Sequence, residues 1–509
     1  MSLDLALNAA RTGLAATQRN LAQASQNLAN AATPGYTRKT LVQESAGFGD
    51  MPLGVRTGEA QRSVDAALVA RLDASRSAAA AAELRERLLG GIEQTQSVTG
   101  GADALPDAIA ALRNGFIALR ASPDDAGLQR GAIDAAQDAA RNLNRLGSAI
   151  GEARQSAQDT IEQEVAQVNA TLREIAALTV KLKTGIEGAG AAALEDQRDA
   201  AVARLSESIE VRAVRQPGGE LLLLARGAAL LPLDPQRELL TIGTASVAPG
   251  SFYGPGGTLP GVMMQGLDIT ARLGGGRLGE AIQMRDSVLP RLQAEADLAA
   301  THLAARLEGQ GLLLFTDTGG TAPPAATGPY AGSAQIGFAG RIAVNTTVDA
   351  DPRLLRDGTH AVAGGPGGPT AFTPNPPGGP AGFTALLDRV LGFSFGAEAA
   401  AGVPWPGIPV SGLGPDGTLA SPFLAPPTVA SYAARVVSGQ AADRAAATAA
   451  KTDASDLRTA LEGRFAQQSG VDVDAELAGM VALQNAYAAN ARVLGTVQAM
   501  WDQLLASVR

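Results

Sequence analysis

Apolar residues recur every seven positions at both ends of the chain, and each run is broken by polar residues on the other faces. A seven-residue spacing keeps side chains on one seam of a helix, and such a seam is stable only when another helix covers it. We therefore predict two helices that pair with each other or with neighbouring copies. The predicted assembly seam consists of Leu7, Leu14, Leu21, Leu28, Leu477, Met480, Tyr487, Leu494, Trp501 and Val508.

The same three-and-four spacing predicts further helices along the chain. They are expected over residues 3–31, 64–92, a long tract around 143–175, 278–307, 431–468 and 474–507. The period changes near Glu210, where two apolar runs flank Pro217, Gly218 and Gly219 and predict a β-hairpin. Residues 47–58 are expected to be extended or looped, and residues 319–427 are rich in Gly and Pro.

The order of these elements predicts an α+β multidomain fold. Its terminal helices pair as a coiled coil, a long helical bundle follows, and β-rich outer domains are inserted between helices. The predicted domains are 1–40 with 470–509 for assembly, 60–208 with 431–469 for the bundle, 209–270 as a β-rich domain, 271–310 as a return helix, and 311–430 as a Gly/Pro-rich, β-type outer domain.

Composition narrows the possible functions. The chain has 509 residues, no Cys and two His, so it offers no disulfide framework, no thiolate chemistry and little basis for a histidine metal site. A net charge of -9 without a basic run argues against nucleic-acid binding. The first residues do not have the form of a cleaved secretory signal, and no apolar run is long enough to span a bilayer. We expect no membrane span.

Two patterns suggest chemistry but have simpler explanations. Gly274, Gly276 and Gly279 match G-x-G-x-x-G, although the alternating strands and helices of a dinucleotide fold do not follow them. The acidic residues Asp472, Asp474 and Glu476 suit the start of a helix and need no metal ion. We therefore predict no enzyme activity, no cofactor and no metal.

A polar string at residues 27–40, NLANAATPGYTRKT, ends the first predicted helix. Asn30 and Thr33 can satisfy free backbone groups, Pro34 forbids continuation, and Gly35 permits a turn before Tyr36. As a whole, the string resembles the signature of the axial proteins of the bacterial flagellum, the rod, hook and hook-associated proteins. Residues 469–505, which contain Gln484 to Arg492, resemble the closing helix of the same family.

Two internal stretches are similar to the branch of this family that joins hook to filament. They are AALEDQRDAAVARLSESIEVRA at residues 192–213 and RLGGGRLGEAIQMRDSVLPRL at residues 272–292. The family-motif positions matched in this sequence are Asn27, Asn30, Thr33, Pro34, Gly35, Tyr36, Asp196, Gln197, Arg198, Asp199, Gln484, Ala486, Tyr487 and Arg492.

The resemblance implies a structural junction subunit that connects hook to filament and is needed for filament assembly and motility. It further implies a homo-oligomeric ring, with the hook subunit on one side and a second junction protein on the other. An export chaperone would bind the C-terminal helix, and the chain would reach the extracellular flagellum without a cleaved signal. The alternatives are a hook or rod subunit and, outside this class, a cytoplasmic coiled-coil scaffold. In an isolated subunit we expect residues 1–40 to be mobile.

Overall fold

The computed structural model describes residues 3–33, 35–48, 51–97, 104–184, 189–227 and 229–507. Helix is the main secondary structure. The α-helices are α1 (Leu3–Ala29), α2 (Ala66–Ser97), α3 (Leu105–Ala121), α4 (Ala126–Lys183), α5 (Ala189–Ser208), α6 (Gly276–Gln283), α7 (Leu289–Glu308), α8 (Thr346–Ala350), α9 (Leu354–Asp357), α10 (Ala385–Arg389), α11 (Val429–Ser469) and α12 (Val473–Ser507).

The strands are short except for the first two. They are β1 (Lys39–Phe48), β2 (Met51–Arg62), β3 (Val211–Arg215), β4 (Leu221–Ala225), β5 (Ala229–Leu231), β6 (Leu240–Thr241), β7 (Met263–Met264), β8 (Leu267–Asp268), β9 (Phe315–Asp317), β10 (Ile342–Val344), β11 (Glu398–Ala400), β12 (Val403–Pro404), β13 (Ser411–Leu413) and β14 (Leu419–Ala420). All strand pairs within the sheets are antiparallel.

Helix α4 is the longest element and the centre of the helical body. Asp125 caps its start by accepting hydrogen bonds from the backbone N–H groups of Gly127 and Leu128, at 2.8 and 2.9 Å. Lys181 and Lys183 lie in its last turn, where positive charge complements the helix dipole. Its 58 residues correspond to a rod about 87 Å long.

The apolar stripe of α4 is buried by the other helices of the body. Ile150, Ile161 and Ile175 are fully buried, as the three-and-four spacing predicted. Helices α2, α3, α5, α6 and α7 pack along α4, and α11 packs along α2. The buried residues form one continuous core that also includes the inserted β segments.

The first inserted β segment rests on α4. Strands β3, β4 and β5 form one sheet, and the hairpin between β3 and β4 turns at Pro217–Gly219, as predicted. Strands β6, β7 and β8 form a second sheet. Asn169 on α4 fixes β6 because its amide donates to the Leu240 carbonyl at 2.7 Å and its oxygen accepts from the Leu239 and Leu240 N–H groups.

The Gly/Pro-rich segment after α7 differs from the β-type region that the sequence predicted. Short strands alternate there with α8, α9 and α10, so the segment predicted as a Gly/Pro-rich, β-type domain also contains three short helices. Pro and Gly clusters limit element length without selecting strand, and short apolar runs between them form single helical turns. Phe315, Phe338 and Leu387 of this segment are fully buried in the common core. The proposed domain boundaries stay a prediction.

The N-terminal region ends in a β-hairpin that lies along α1. Strands β1 and β2 pair with two irregularities in register. Thr12 on α1 accepts a hydrogen bond from the Val55 N–H at 3.2 Å. Gly54, at φ 130°, passes so close to α1 that a Cβ there would lie 2.1 Å from the Thr12 hydroxyl. A residue with a side chain would push the hairpin away from the helix.

No helix among the described residues combines the length and the apolar character needed to cross a membrane.

Candidate functional site

The two terminal helices, α1 and α12, pack against each other in antiparallel orientation. Asn27, near the end of α1, lies beside Glu476 at the start of α12, with 3.2 Å between the Asn27 amide nitrogen and a carboxylate oxygen. At the other end of the pair, a Cβ on Gly13 would lie 3.4 Å from the Asn490 side chain. Gln18 donates to the Tyr487 hydroxyl between these points, at 3.4 Å.

This pairing covers the predicted assembly seam only in part. Leu477 and Tyr487 are 45% and 38% exposed. Val508 lies outside the described residues. The half-buried seam residues are Leu7, Leu14, Leu21, Leu28, Met480, Leu494 and Trp501.

The most buried positions of the pair are small or polar. On α1 they are Ala10, Ala16, Thr17, Gln23, Ala24 and Asn27. In α12, which is described over its whole length, only Glu476 and Val497 are buried. The large apolar side chains of the two helices therefore lie around the α1–α12 contact, and much of their surface stays exposed.

In the helix stop that follows α1, the Asn30 side chain binds a backbone group as predicted, whereas the Thr33 hydroxyl binds a side chain. Asn30 donates to the Gln26 carbonyl at 2.9 Å, and the Thr33 hydroxyl donates to the Asn30 side chain at 3.3 Å. Gly35 has a φ of 78°, which favours glycine. Pro34 lies outside the described residues. The stop directs the chain from α1 toward the helical body.

A cluster of polar residues joins the terminal helices to the body; we call it the polar joint and define it as Asn27, Thr37, Lys39, Arg62, Asp196 and Glu476. Its first centre is Asp196 on α5. One carboxylate oxygen accepts from the Thr37 hydroxyl at 2.6 Å and from Arg62 at 2.8 Å. The other oxygen accepts from the Lys39 ammonium at 2.5 Å and from the Thr37 N–H at 3.3 Å.

The second centre of the polar joint is the contact between Asn27 and Glu476. The Asn27 amide donates to the Lys39 carbonyl at 2.9 Å, while its oxygen accepts from the Tyr36 hydroxyl at 2.9 Å. Glu476 accepts from Asn27 and also from Arg38, whose Nε lies 2.6 Å from the same oxygen. Both chain ends therefore meet the same short segment, residues 36–39.

Burial and the neighbouring negative charges have opposite effects on the pKa of Arg62. Burial favours the neutral guanidine, but the carboxylates of Asp199, Asp196 and Glu195 outweigh it and raise the pKa of Arg62. Arg62 contacts Asp199 at 2.9 Å and Glu195 at 2.8 Å. The β2 strand is thus held to α5 by a permanently charged group.

Tyr36 and Lys39 shield each other within the joint. The Lys39 ammonium lies 3.5 Å from the centroid of the Tyr36 ring, which is a cation–π contact. Burial, followed by the negative charges of Asp196 and Glu476, raises the pKa of the Tyr36 hydroxyl. The phenol therefore stays protonated and donates its hydrogen bond to Asn27.

The remaining family-motif residues lie elsewhere. Gln197 is exposed, whereas Arg198 is buried and turns away from the joint to donate to the Gly219 carbonyl at 2.7 Å. Burial lowers the pKa of Arg198. On α12, the side chains Gln484, Ala486 and Arg492 are exposed.

Sequence reasoning missed Lys39, Arg62 and the role of Glu476. We interpreted the acidic cluster at the start of α12 as helix capping, and Asp472 does accept from the Asp474 and Ala475 N–H groups at 3.0 and 3.1 Å. Glu476 is instead buried and paired. The basic pair Arg38–Lys39 after the helix stop was the available signal, because buried Lys and Arg need acidic partners.

The glycine pattern and the buried side chain of His302 both have structural explanations. Gly275 and Gly276, with φ of 67° and 60°, form the tight turn that precedes α6, and a Cβ on Gly276 would lie 2.4 Å from the Ser208 backbone. His302 is buried in α7, and burial followed by the charge of Arg306 lowers its pKa to about 4. Among the described residues, no group of three or more His, Cys, Asp or Glu side chains could hold a metal ion.

Two family models of known proteins match parts of this chain. The family model described as "Flagellar hook-associated protein FlgK helical domain" matches residues 92–319. The model described as "Flagellar basal body rod FlgEFG protein C-terminal" matches residues 463–507. The two matches include α3 to α7 of the body, the end of α11 and all of α12.

One curated relative and one solved structure show similarity to parts of the chain. Flagellar hook-associated protein 1 of Escherichia coli (strain K12) is 25% identical over 248 residues, which is 46% of this chain and 44% of that protein. The solved structure of the flagellar hook junction protein FlgK from Burkholderia pseudomallei is 23% identical, with a TM-score of 0.38, over 51% of this chain and 47% of that chain. The matches therefore span less than half the length of each relative. The chain is therefore similar to flagellar hook-associated protein 1 over its helical body and to flagellar basal body rod proteins over its last helix.

Proposed function

We propose that this chain is a structural subunit of the bacterial flagellum that connects the hook to the filament and that filament assembly and motility require. The observation that carries the proposal is the paired terminal helices, whose apolar rim is incompletely covered within one chain. Four large side chains on α12 are about half exposed: Leu477 at 45%, Val481 at 58%, Met500 at 50% and Leu505 at 61%. Burial of such surface is the main favourable contribution to subunit association.

In the assembled state, these exposed side chains would be covered by other copies of the chain in a ring. Residues 1–40 with 470–509 would form the inner layer, the bundle at 60–208 with 431–469 the middle layer, and residues 209–270 and 311–430 the outer surface. The hook subunit would lie on one side of the ring and a second junction protein on the other. No catalysis is involved in this role.

Before assembly, the same surface needs protection. An exposed apolar helix promotes aggregation, so a chaperone that binds α12 during export has a physical purpose. In this proposal the chain travels to the outside of the cell without a cleaved signal and folds at the distal end of the hook.

The test is to locate the protein in isolated flagella by immunogold electron microscopy with an antibody against residues 210–270. Because the chain has no Cys, a Leu267→Cys variant labelled with maleimide-gold provides a second probe, with the parent chain as the unlabelled control. Leu267 is 57% exposed and accessible to the reagent in the folded chain. We expect label in one narrow band between hook and filament.

Three other outcomes would overturn the junction role. Label along the whole hook would indicate a hook subunit, and label at the base would indicate a rod subunit. Absence of label from flagella, with the protein present in the cytoplasm, would favour a coiled-coil scaffold.

A further inference from the structure

We propose that Asp196 is the positioning residue that holds the terminal assembly helices on the helical body. Under this proposal Asp196 is the carboxylate of α5 that binds the segment after α1, whereas Glu195 and Asp199 bind Arg62 at the end of β2. The assembly consequence rests on the proposed function, whereas the attachment itself is a property of the isolated chain. The proposal gives a role to a motif that sequence alone identified only by its similarity to a family.

The hydrogen bonds of Asp196 support this role. They use both oxygens and connect α5 with the segment after α1 and with the end of β2. The Lys39 and Asp196 side chains are 2% and 10% exposed, so water cannot substitute for either partner. Two charges that are buried together depend on each other much more than two charges on a surface.

Lys39 makes the attachment sensitive to the charge of Asp196. Its ammonium also donates to the Thr37 carbonyl at 3.2 Å and lies against the Tyr36 ring, and neither neighbour is an anion. If the carboxylate is neutralised, a buried ammonium loses its counter-charge. Moving segment 36–39 into water, where the ammonium is hydrated, then lowers the free energy of the chain.

The C-terminal helix is attached through the same segment. The described hydrogen bonds of Asp196 go to residues 37–62, while Glu476 binds Asn27 and Arg38. The Arg38 N–H also donates to the Ser469 carbonyl at 2.8 Å, beside the link between α11 and α12. Release of residues 36–39 from α5 therefore displaces Arg38, which is one of the two partners of Glu476 and also binds Ser469.

The body does not depend on Asp196 in the same way. Ala201 and Leu205, further along α5, are fully buried in the common core, and α5 packs along α4. The proposal therefore predicts that the polar joint opens locally while the body stays folded. A residue that only contributes to general stability would weaken both regions together.

Hydrogen exchange of the purified full-length chain, followed by mass spectrometry, tests this difference. The test variant is Asp196→Asn, which keeps the shape of the side chain and removes its charge. We expect exchange to accelerate by about tenfold or more in residues 36–48 and 473–480, with α4 unchanged. The matched control is Glu174→Gln, which removes the exposed ion pair with Arg204 that also links α4 to α5 at 2.7 Å.

A second substitution identifies the cause. In the double variant Asp196→Asn, Lys39→Met, the unpaired ammonium is gone, and protection of residues 36–48 should return toward that of the parent. Unchanged exchange in Asp196→Asn would overturn the proposal. Equal acceleration in the joint and in α4 would also overturn it, because Asp196 would then be a general stability residue.

The result is separable from the test of the proposed function. Exchange is measured on the isolated chain and does not depend on where the protein lies in the flagellum. If the immunogold label appears elsewhere, the junction role fails and the attachment through Asp196 stands. If Asp196→Asn leaves exchange unchanged, the attachment fails and the junction role stands.

Discussion

Helices α4 and α12 are both long and both amphipathic, yet they are covered to very different extents. The apolar stripe of α4 is buried along its 58 residues by helices on several sides. In α12, with 35 residues, only Glu476 and Val497 are buried. A periodic apolar pattern therefore specifies which face of a helix must be covered. It does not specify whether the covering residues belong to the same chain.

The two helices also differ in what fixes them. Helix α4 is held mainly by apolar packing, which is non-directional and tolerates small shifts. The start of α12 is held by directional hydrogen bonds to Asn27 and Arg38. Polar contacts thus fix the direction of α12, and its apolar surface stays exposed for the assembly contacts that we propose.

The largest effect is expected from a cavity in the body. Ile150→Ala removes a fully buried side chain from α4 and should lower the free energy of unfolding by about 2–5 kcal/mol. The matched variant Leu477→Ala removes an exposed apolar side chain from α12 and should cost about 0.5 kcal/mol or less. Urea unfolding followed by circular dichroism measures both. Equal losses would contradict the contrast between the two helices.

A charge on the seam should destabilise the contact between α1 and α12 without affecting the helical body. Leu21 is half-buried in α1, and Leu21→Asp should destabilise the α1–α12 contact by about 1–3 kcal/mol and block incorporation into flagella. The melting transition of the body should be unchanged. Leu21→Met, which conserves volume, is the control. Normal assembly of Leu21→Asp would show that the seam is dispensable.

The buried carboxyl of Asp297 should give the body a characteristic pH dependence. It accepts from the Tyr330 hydroxyl and from the Gly337 and Ala339 N–H groups, but burial outweighs these bonds and raises its pKa to about 6. The folded state therefore binds this proton more tightly than the unfolded chain does. The resulting stabilisation is complete below pH about 4 and is lost as the pH rises through about 6.

We expect the free energy of unfolding of the parent, relative to Asp297→Asn, to fall by about 1–3 kcal/mol from pH 4 to pH 7. His302, with a pKa lowered to about 4, contributes the opposite slope in the same range. Only the difference between parent and variant isolates Asp297. A difference that is constant with pH would show that the carboxyl keeps one protonation state over this range.

The smallest effect concerns a single hydrogen bond of the joint. Tyr36→Phe removes the hydrogen bond of 2.9 Å to Asn27 and keeps the ring beside Lys39. The free energy that holds residues 27–39 in their folded position should therefore fall by about 0.5–1.5 kcal/mol. Hydrogen exchange of residues 27–39 measures this loss. Tyr487→Phe, which removes a longer bond at an exposed site, should leave exchange of this segment unchanged. Equal hydrogen exchange of residues 27–39 in the two variants would show that the Tyr36 bond does not hold this segment.

Much of the fold could be predicted from the sequence because helices follow local periodicity. The predicted helices at 278–307 and 474–507 agree closely with the observed Gly276–Glu308 region, which includes a π-helical turn, and with α12. The segment after α7 was less predictable, since its Gly and Pro residues specify turns and leave the elements between them to tertiary contacts.

The polar joint could not be predicted as a site. Asp196 and Lys39 are separated by 157 positions, and Asn27 and Glu476 by 449. No local pattern reports such contacts, and the family motif indicated that Asp196 was notable without showing its partners. The motif also included Arg198, only two positions away, which binds a different part of the molecule.

The contacts of Asp196 also determine how a pull on the chain ends reaches the rest of the subunit. Thr37, Lys39 and Arg62 bind one carboxylate, so tension along the terminal helices strains their bonds together. Bonds that are strained in parallel yield at a higher force than bonds that open one after another. Beyond them, α5 lies against the rod of α4, which distributes the force over its length. Arg62 also binds Glu195 and Asp199, so the pull reaches α5 through three of its carboxylates.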